Sequence, residues 1–257
     1  FPSEWMVDKL NNTLNVGLQH TYSYNKGNGD IDFNIKTSAL GSDYNFTFIT
    51  LNAVNKNKLH KLDINTRLFA QYGMGSSVPF ESALYLSGAN GEQMMENKFT
   101  RSSGFYPTEW MGYGNVTNHF NMGGGLGIRG YSGYVLPVTD TAGYLRFAYR
   151  GRTGLAYNME IEFDDYIKLK PRWFRNWLHI DTYLFGDAGF INWNNANESW
   201  WFTNIKVDAG LGTAFTIKKF GPLQTVEPLV IRFDMPLFLN TPPYLEEDYL
   251  KFRWVLG

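Results

Sequence analysis

Leu14–Tyr24 reads LNVGLQHTYSY. Leu14, Val16, Leu18, His20, Tyr22 and Tyr24 share one parity, and Asn15, Gly17, Gln19, Thr21 and Ser23 share the other. A repeat of two with one apolar and one polar face specifies a half-exposed β-strand. The same period runs outward from this stretch along most of the chain. After the turn-like NKGNGD at Asn25–Asp30, Ile31, Phe33 and Ile35 alternate with Asp32, Asn34 and Lys36. Tyr44, Phe46 and Phe48 begin a third strand. In a fourth, Leu62, Ile64 and Leu68 oppose Asp63, Asn65 and Arg67.

An irregular stretch at about 75–145 interrupts the pattern, which then resumes. Tyr149, Leu155, Tyr157, Met159, Ile161 and Phe163 oppose Arg150, Arg152, Asn158, Glu160 and Glu162. Leu178, Ile180 and Leu184 oppose His179, Asp181 and Asp187. Ile205, Val207, Ala209, Leu211, Phe215 and Ile217 oppose Lys206, Asp208 and Lys218. Leu229, Ile231 and Phe233 oppose Arg232 and Asp234, and Phe252, Trp254 and Leu256 oppose Lys251 and Arg253. This predicts about nine strands and no helix. KLKPRWFRNW (Lys168–Trp177) reads as a basic aromatic turn, because Pro171 breaks it and no 3.6 period is present.

Composition narrows the class. Charged residues make up 18% of the 257, below the roughly 25% of soluble chains, while aromatics reach 17%. The net charge of −1 gives no electrostatic reason to expect a nucleic-acid partner. Without Cys, neither a disulfide nor a thiolate metal site can form. No apolar run approaches the ~20 residues of a transmembrane helix. Two all-β architectures fit, a soluble sheet protein and a transmembrane β-barrel. Strands longer than the usual run of about 5–6 residues, with a continuous apolar face, favour an antiparallel transmembrane barrel. On that reading Leu14, Val16, Leu18, Leu62, Ile64, Met159, Ile161, Ile205, Val207, Leu229 and Ile231 face lipid, and the charged face needs a wet interior. Trp173, Trp177, Trp193, Trp200 and Trp201 flank strands and are expected at the headgroup levels.

Catalytic signatures are absent. The four His are dispersed, and no HExxH occurs. GMGSS at Gly73–Ser77 lacks the strand–turn–helix setting of a nucleophile elbow. GGGLGIRG at Gly123–Gly130 has no following helix and does not read as a phosphate loop. Asp164-Asp165 and Glu246-Glu247-Asp248 read as solvated turn residues. No enzyme activity, cofactor or metal is expected.

Four segments in order are more specific: GGGLGIRGYSGY (Gly123–Tyr134), YNMEIEF (Tyr157–Phe163), LFGDAGF (Leu184–Phe190), and the run from VDAGLGTAFTIKKFGPL into EPLVIRFDMPL (Val207–Leu237). Together they resemble the C-terminal half of the BamA-like superfamily of outer-membrane barrels, the bacterial surface-antigen and two-partner-secretion group. In that family an (I/V)RG(F/Y) motif lies on an extracellular loop that folds back into the barrel, and five strands follow it, as five candidates do here. The loop arginine pairs there with acids on the next two strands. The resemblance therefore implies a structural latch made of Arg129, Gly130, Tyr131, Glu160 and Asp187. Parity independently puts Glu160 and Asp187 on the polar side of their strands. Gly130 is expected to permit a sharp turn beside Arg129 and Tyr131 to pack on the inner wall. Unpaired, these charges would be ordinary solvated residues of a wet interior.

The chain departs from the family in one place. PFESALYLSGANG (Pro79–Gly91) is similar to the segment that leads straight into the motif, but about 30 residues rich in Tyr, Trp, Asn and Gly intervene here before Gly123. They read as an insertion at 91–122. The resemblance also implies a sixteen-stranded barrel, so about seven upstream strands are expected outside this chain. Residues 1–257 then form one barrel segment with an inward-folding loop at about 75–145, and a periplasmic or enzymatic domain lies elsewhere in the protein. The opening FPSEWMVDKL, without Met, fits a removed leader or a piece of a longer protein.

Three functional expectations follow. The first is an outer-membrane BamA-like barrel that inserts, assembles or translocates outer-membrane and surface proteins. Its partners would be lipid and lipopolysaccharide, unfolded or exported polypeptide, and accessory outer-membrane proteins, with no nucleic acid. The second is a barrel that anchors or exports a fused peptidase domain, as in Bacteroidota-type zinc aminopeptidase fusions with similar motifs. The third is a soluble β-rich binding protein. Upstream sequence separates the first two, and detergent dependence separates both from the third.

Overall fold

A computed structural model describes residues 8–96, 119–121, 123–132, 137–139, 145–147, 150–163, 177–192, 205–218, 229–242 and 247–257. The protein is all-β. The main strands are β1 (Thr13–Tyr24), β2 (Gly27–Ser38), β3 (Asn45–Leu59) and β4 (Leu62–Ser77), followed by the two-residue β5 (Leu84–Tyr85) and the helix α1 (Gly91–Glu96). Short strands β6 (His119–Phe120), β7 (Pro137–Thr139), β8 (Leu145–Phe147) and β9 (Arg150–Gly151) come next. The long strands resume with β10 (Thr153–Glu162), β11 (Leu178–Asn192), β12 (Lys206–Ile217) and β13 (Leu229–Leu239), and β14 (Val255–Leu256) closes the series. Nine strands pair antiparallel in the order β1-β2-β3-β4-β10-β11-β12-β13-β14, and β6 adds a short parallel pairing on β14.

Register turns the period-two pattern into two distinct faces. Leu18, Phe33, Leu51, Ala70, Leu155 and Phe190 are successive cross-strand partners over six strands. Ile64, Ile161, Leu184, Leu211 and Met235 form a second such row. Both rows lie on a face that nothing described covers: Leu18 is 71% and Leu184 47% exposed. On the opposite face, Gln19, Asp32, Asn52, Phe69, Ala156, Gly189 and Lys206 are partners in one row.

That second face is covered by the segments at 78–96 and 123–132. Leu84, Leu86, Leu126, Ile128 and Tyr131 bury themselves against Phe69, Ala156 and Leu239 of the sheet. Burying these side chains contributes roughly 1.5–3 kcal/mol each and holds the loop down. The loop also pairs as backbone, Leu126 N donating to Tyr85 O (2.9 Å) and Ile128 N to Leu86 O (3.0 Å).

Several local features differ from the sequence reading. The Asn25–Asp30 turn is shorter than expected, because β2 already starts at Gly27 and leaves Asn25-Lys26 as a two-residue hairpin loop. β4 runs through Ser77, past the expected loop start near 75. Tyr44, Phe46 and Phe48, to which the alternation assigned a strand but no face, pack as an aromatic cluster with Val78 and supply covered core. A helix exists, although none was expected. Asn90 Oδ1 accepts from Gln93 N (2.9 Å) and Gln93 Oε1 accepts from Asn90 N (3.1 Å), the reciprocal pattern of a capping box at the start of α1. The N-x-x-Q spacing was visible in the sequence, but six residues are too few for a periodic signal. Of the five flanking Trp, Trp177 adjoins β11 and is part exposed. Trp173, Trp193, Trp200 and Trp201 lie outside the described residues, as does most of the 91–122 insertion.

Candidate functional site

The site forms where Gly123–Ser132 lies across the middle of the sheet. The GGGLG run has to bend tightly to do so, and Gly125 and Gly127 take positive φ (59° and 72°), where a side chain is disfavoured. The carbonyl oxygens this bend exposes are received by the sheet below. Arg67 donates through Nη2 to Gly125 O (3.0 Å) and through Nη1 to Leu126 O (3.3 Å), and Asn158 Nδ2 donates to Gly127 O (3.0 Å). Arg67 and Asn158 are cross-strand partners on β4 and β10, so together they form a ready-made cradle.

Arg129 follows at the start of a single 3-10 turn, Arg129–Tyr131, and is 8% exposed. Its Nε donates to Asp187 Oδ2 at 2.8 Å and its Nη2 to Asp187 Oδ1 at 2.9 Å, a two-point fork on one carboxylate. Its Nη1 donates to Glu160 Oε1 at 2.8 Å, and Asp234 Oδ1 lies 3.8 Å from the same nitrogen. The guanidinium carbon rests over the Phe185 ring, 3.9 Å from its centre. Burial opposes the charge of Arg129. The hydrogen bond to Asp187 and the charges of Asp187, Asp234 and Glu160 outweigh that and raise its pKa above the ordinary value.

The strands are built to leave room for this group. Phe185 opposes Gly210 and Tyr183 opposes Gly212 across β11 and β12. A Cβ at Gly210 would lie 2.8 Å from the Phe185 ring, and one at Gly212 would strike Tyr183. The G-x-G of β12 therefore lets two aromatic rings lie flat and form the floor of the site. Tyr183 in turn donates to Asp234 Oδ1 at 2.5 Å. Arg232 pairs with the Glu160 oxygen that Arg129 also uses.

The structure thus brings Arg129, Glu160 and Asp187 into direct contact. Tyr131 is buried, donates to Asn240 Oδ1 (2.9 Å) and accepts from Thr241 N (3.1 Å). Gly130 is also at the site, but for a different reason from the one read in the sequence. Its φ is not positive. What excludes a side chain there is proximity, since a Cβ would lie 2.8 Å from Asp208 Cβ and would strike Leu239. Gly130→Ala should overpack this contact at a cost of about 1–3 kcal/mol. Limited proteolysis should then cut the 123–132 loop faster than in wild type, and an unchanged rate would show that the loop is not held at this point.

Asp208, Asp234, Asn158, Arg67, Arg232 and Asn240 were absent from the site read in the sequence. Asp208 is the largest omission. It is 1% exposed, stands directly across from Asp187, and accepts a hydrogen bond from Gly130 N through Oδ2. Alternation already placed Asp208 and Asp234 on the polar side, but only the register shows that they meet Arg129. The β13 side also contains a shift: Gly210 pairs with Pro236 and Ala209 with Phe238, so Leu237 is skipped and Leu239 turns onto the covered face.

Chemically, the arrangement is a set of mutual ion pairs and hydrogen bonds that holds its members and the loop backbone together. Asp208 Oδ1 is the exception, buried without a partner. No family model and no curated protein matches this chain in sequence.

Proposed function

We propose that this chain is the C-terminal part of a BamA-like transmembrane β-barrel of the bacterial outer membrane, and that the protein acts in inserting, assembling or translocating outer-membrane and surface proteins. The observation that carries the reading is the IRGY segment lying against the covered face, with Arg129 hydrogen-bonded to Glu160 and Asp187 on the two long strands that follow it. That is the arrangement the motif resemblance implies for the family's loop latch. The latch has a structural role on this reading, fixing the loop inside the barrel so that the interior keeps one shape.

The uncovered face supports the membrane part of the reading. An apolar surface that runs over six strands exceeds what a water-soluble monomer ordinarily leaves open. Its eight long strands have 10 to 16 residues. About 9–11 tilted residues suffice to cross a bilayer. The polar opposite face, with its charged cluster, suits a wet interior. Lipid, lipopolysaccharide and exported polypeptide are the partners this reading names, with accessory outer-membrane proteins as further candidates.

Depletion of the protein in its own bacterium is the test. Fractionation should find it in the outer membrane, extractable only by detergent. On depletion, other outer-membrane barrels should lose their folded, heat-modifiable form. If those barrels fold normally and only a domain joined to this barrel disappears from the cell surface, the barrel is an anchor or conduit and the assembly reading fails. Recovery in the soluble fraction without detergent would defeat both.

A further inference from the structure

A second group of buried polar atoms lies where the start of β1 meets the loop after β4, apart from the Arg129 network. Glu81 is 2% exposed. Its Oε1 accepts from Asn11 Nδ2 at 3.1 Å, while its Oε2 is buried without a partner. The same Asn11 nitrogen lies 3.2 Å from Glu92 Oε1 and 3.3 Å from Ser82 Oγ. Two carboxylates from different segments, one in the turn Phe80–Ser82 and one in α1, thus converge on a single point. The Asn11 Oδ1 and the Tyr44 hydroxyl are also buried without a partner.

The charges do not balance around Glu81. Lys36 is engaged with Oε2 of Glu92, and Lys9 stands 5.4 Å over the Tyr44 ring. Asp43 is turned to the backbone, accepting from Leu10 N at 2.7 Å. Among the described residues no cation pairs with Glu81. Burial, and after it the nearby charges of Glu81 and Asp43, hold the Tyr44 phenol above its ordinary pKa. A buried carboxylate whose only hydrogen bond comes from a neutral amide is costly unless a counter-charge joins it.

Three hard oxygens stand around the Asn11 side-chain nitrogen, Glu81 Oε1, Glu92 Oε1 and Ser82 Oγ. Rotation of the Asn11 amide would bring Oδ1 to the point where Nδ2 now sits, and both carboxylates would then face a third acceptor oxygen, with the Ser82 hydroxyl free to turn its lone pairs the same way. We propose that Asn11, Glu81 and Glu92, with Ser82, hold a calcium ion that clips the loop after β4 and α1 to the beginning of β1. Ca2+ fits better than Mg2+ because donors from separate segments give an irregular shell, which Ca2+ accepts and Mg2+ does not. No group of three or more acidic or His side chains among the described residues is placed to hold a metal. Two carboxylates, one of them shared with Lys36, put the affinity in the weak class, about 10⁻⁴–10⁻³ M. This inference is independent of the outer-membrane reading.

The experiment compares wild type, Glu81→Gln and Glu92→Gln in detergent micelles, first stripped with EDTA and then dialysed against radiolabelled calcium. Wild type should bind one calcium more than Glu81→Gln, and Glu92→Gln should bind it at least about tenfold more weakly. Calcium should raise the melting midpoint of wild type but not of Glu81→Gln, and equal magnesium should not substitute. In EDTA the order should reverse, with Glu81→Gln melting above wild type because its neutral amide removes an unpaired buried charge. Equal calcium uptake and equal calcium-dependent shifts in all three proteins would overturn the proposal. So would an EDTA-treated wild type that melts no lower than Glu81→Gln.

Discussion

Replacing Asp187 by alanine is expected to cost about 3–5 kcal/mol of folding stability, the usual penalty for stranding one member of a buried ion pair. Asp187 takes two side-chain hydrogen bonds and one backbone hydrogen bond from Arg129, and Asn158 Nδ2 donates to it as well (3.1 Å). Truncation leaves Nε and Nη2 of a buried guanidinium without their acceptors, while Nη1 keeps Glu160. Glu160→Gln should cost less, about 1–3 kcal/mol, since it loses a charge but can still accept a hydrogen bond. The Arg129→Met/Asp187→Leu pair should recover much of the loss, because an apolar pair of similar volume strands no charge. Midpoints for loss of the folded, heat-resistant form in detergent would report these proteins, and adding the single variants Arg129→Met and Asp187→Leu completes the double-mutant cycle that isolates the pair. If Asp187→Ala stays within about 1 kcal/mol of wild type, the contact behaves like a solvated surface bridge and the loop is held by its apolar residues instead.

The second large effect concerns the open face. Ile161→Arg should destabilise the protein by about 2–4 kcal/mol in a bilayer, the cost of a cation at the midplane of a barrel wall. Ile161 stands between Ile64 and Leu184 in a row that nothing described covers. Were that row turned to water, an arginine would extend into solvent at little cost. Refolding yield into vesicles therefore separates the two cases, and wild-type yield for Ile161→Arg would count against a lipid-facing surface. A cation placed at a polar position of the opposite face, such as Gln19→Lys beside its cross-strand partner Asp32, serves as the control for a general intolerance of charge.

The proposed latch also explains why single residues around it are expected to act together. Arg129 touches β10 and β11 and lies within ion-pair distance of β13, while Gly130 reaches β12. A change in any of these strands therefore reaches the same loop. Tyr131 extends the anchor to Asn240 beyond β13, where Asn240 also accepts from Val207 N and donates to Ile205 O. The loop is fixed across four successive strands, which would resist their sliding past one another.

Much of this was legible in the sequence, because alternation is a local property. A period of two decides which side of a strand each residue takes, and that alone separated Leu155, Tyr157 and Ile161 from Asn158 and Glu160. The Arg129–Glu160–Asp187 set came from motif order, with parity agreeing. Alternation does not say which residue of one strand stands beside which of the next. That choice is made by hairpin length, by irregularities such as the skipped Leu237, and by what packs on the covered face. Register therefore had to come from the tertiary structure. It put Asp208 beside Asp187, made Arg67 and Asn158 a cradle, and turned Tyr44, Phe46 and Phe48 inward under Val78. The gathering of Asn11, Glu81 and Glu92 lay further still from any sequence signal. Asn11 stands 70 and 81 residues from the two glutamates, and only the fold of the loop back onto the sheet brings the three side chains to one point.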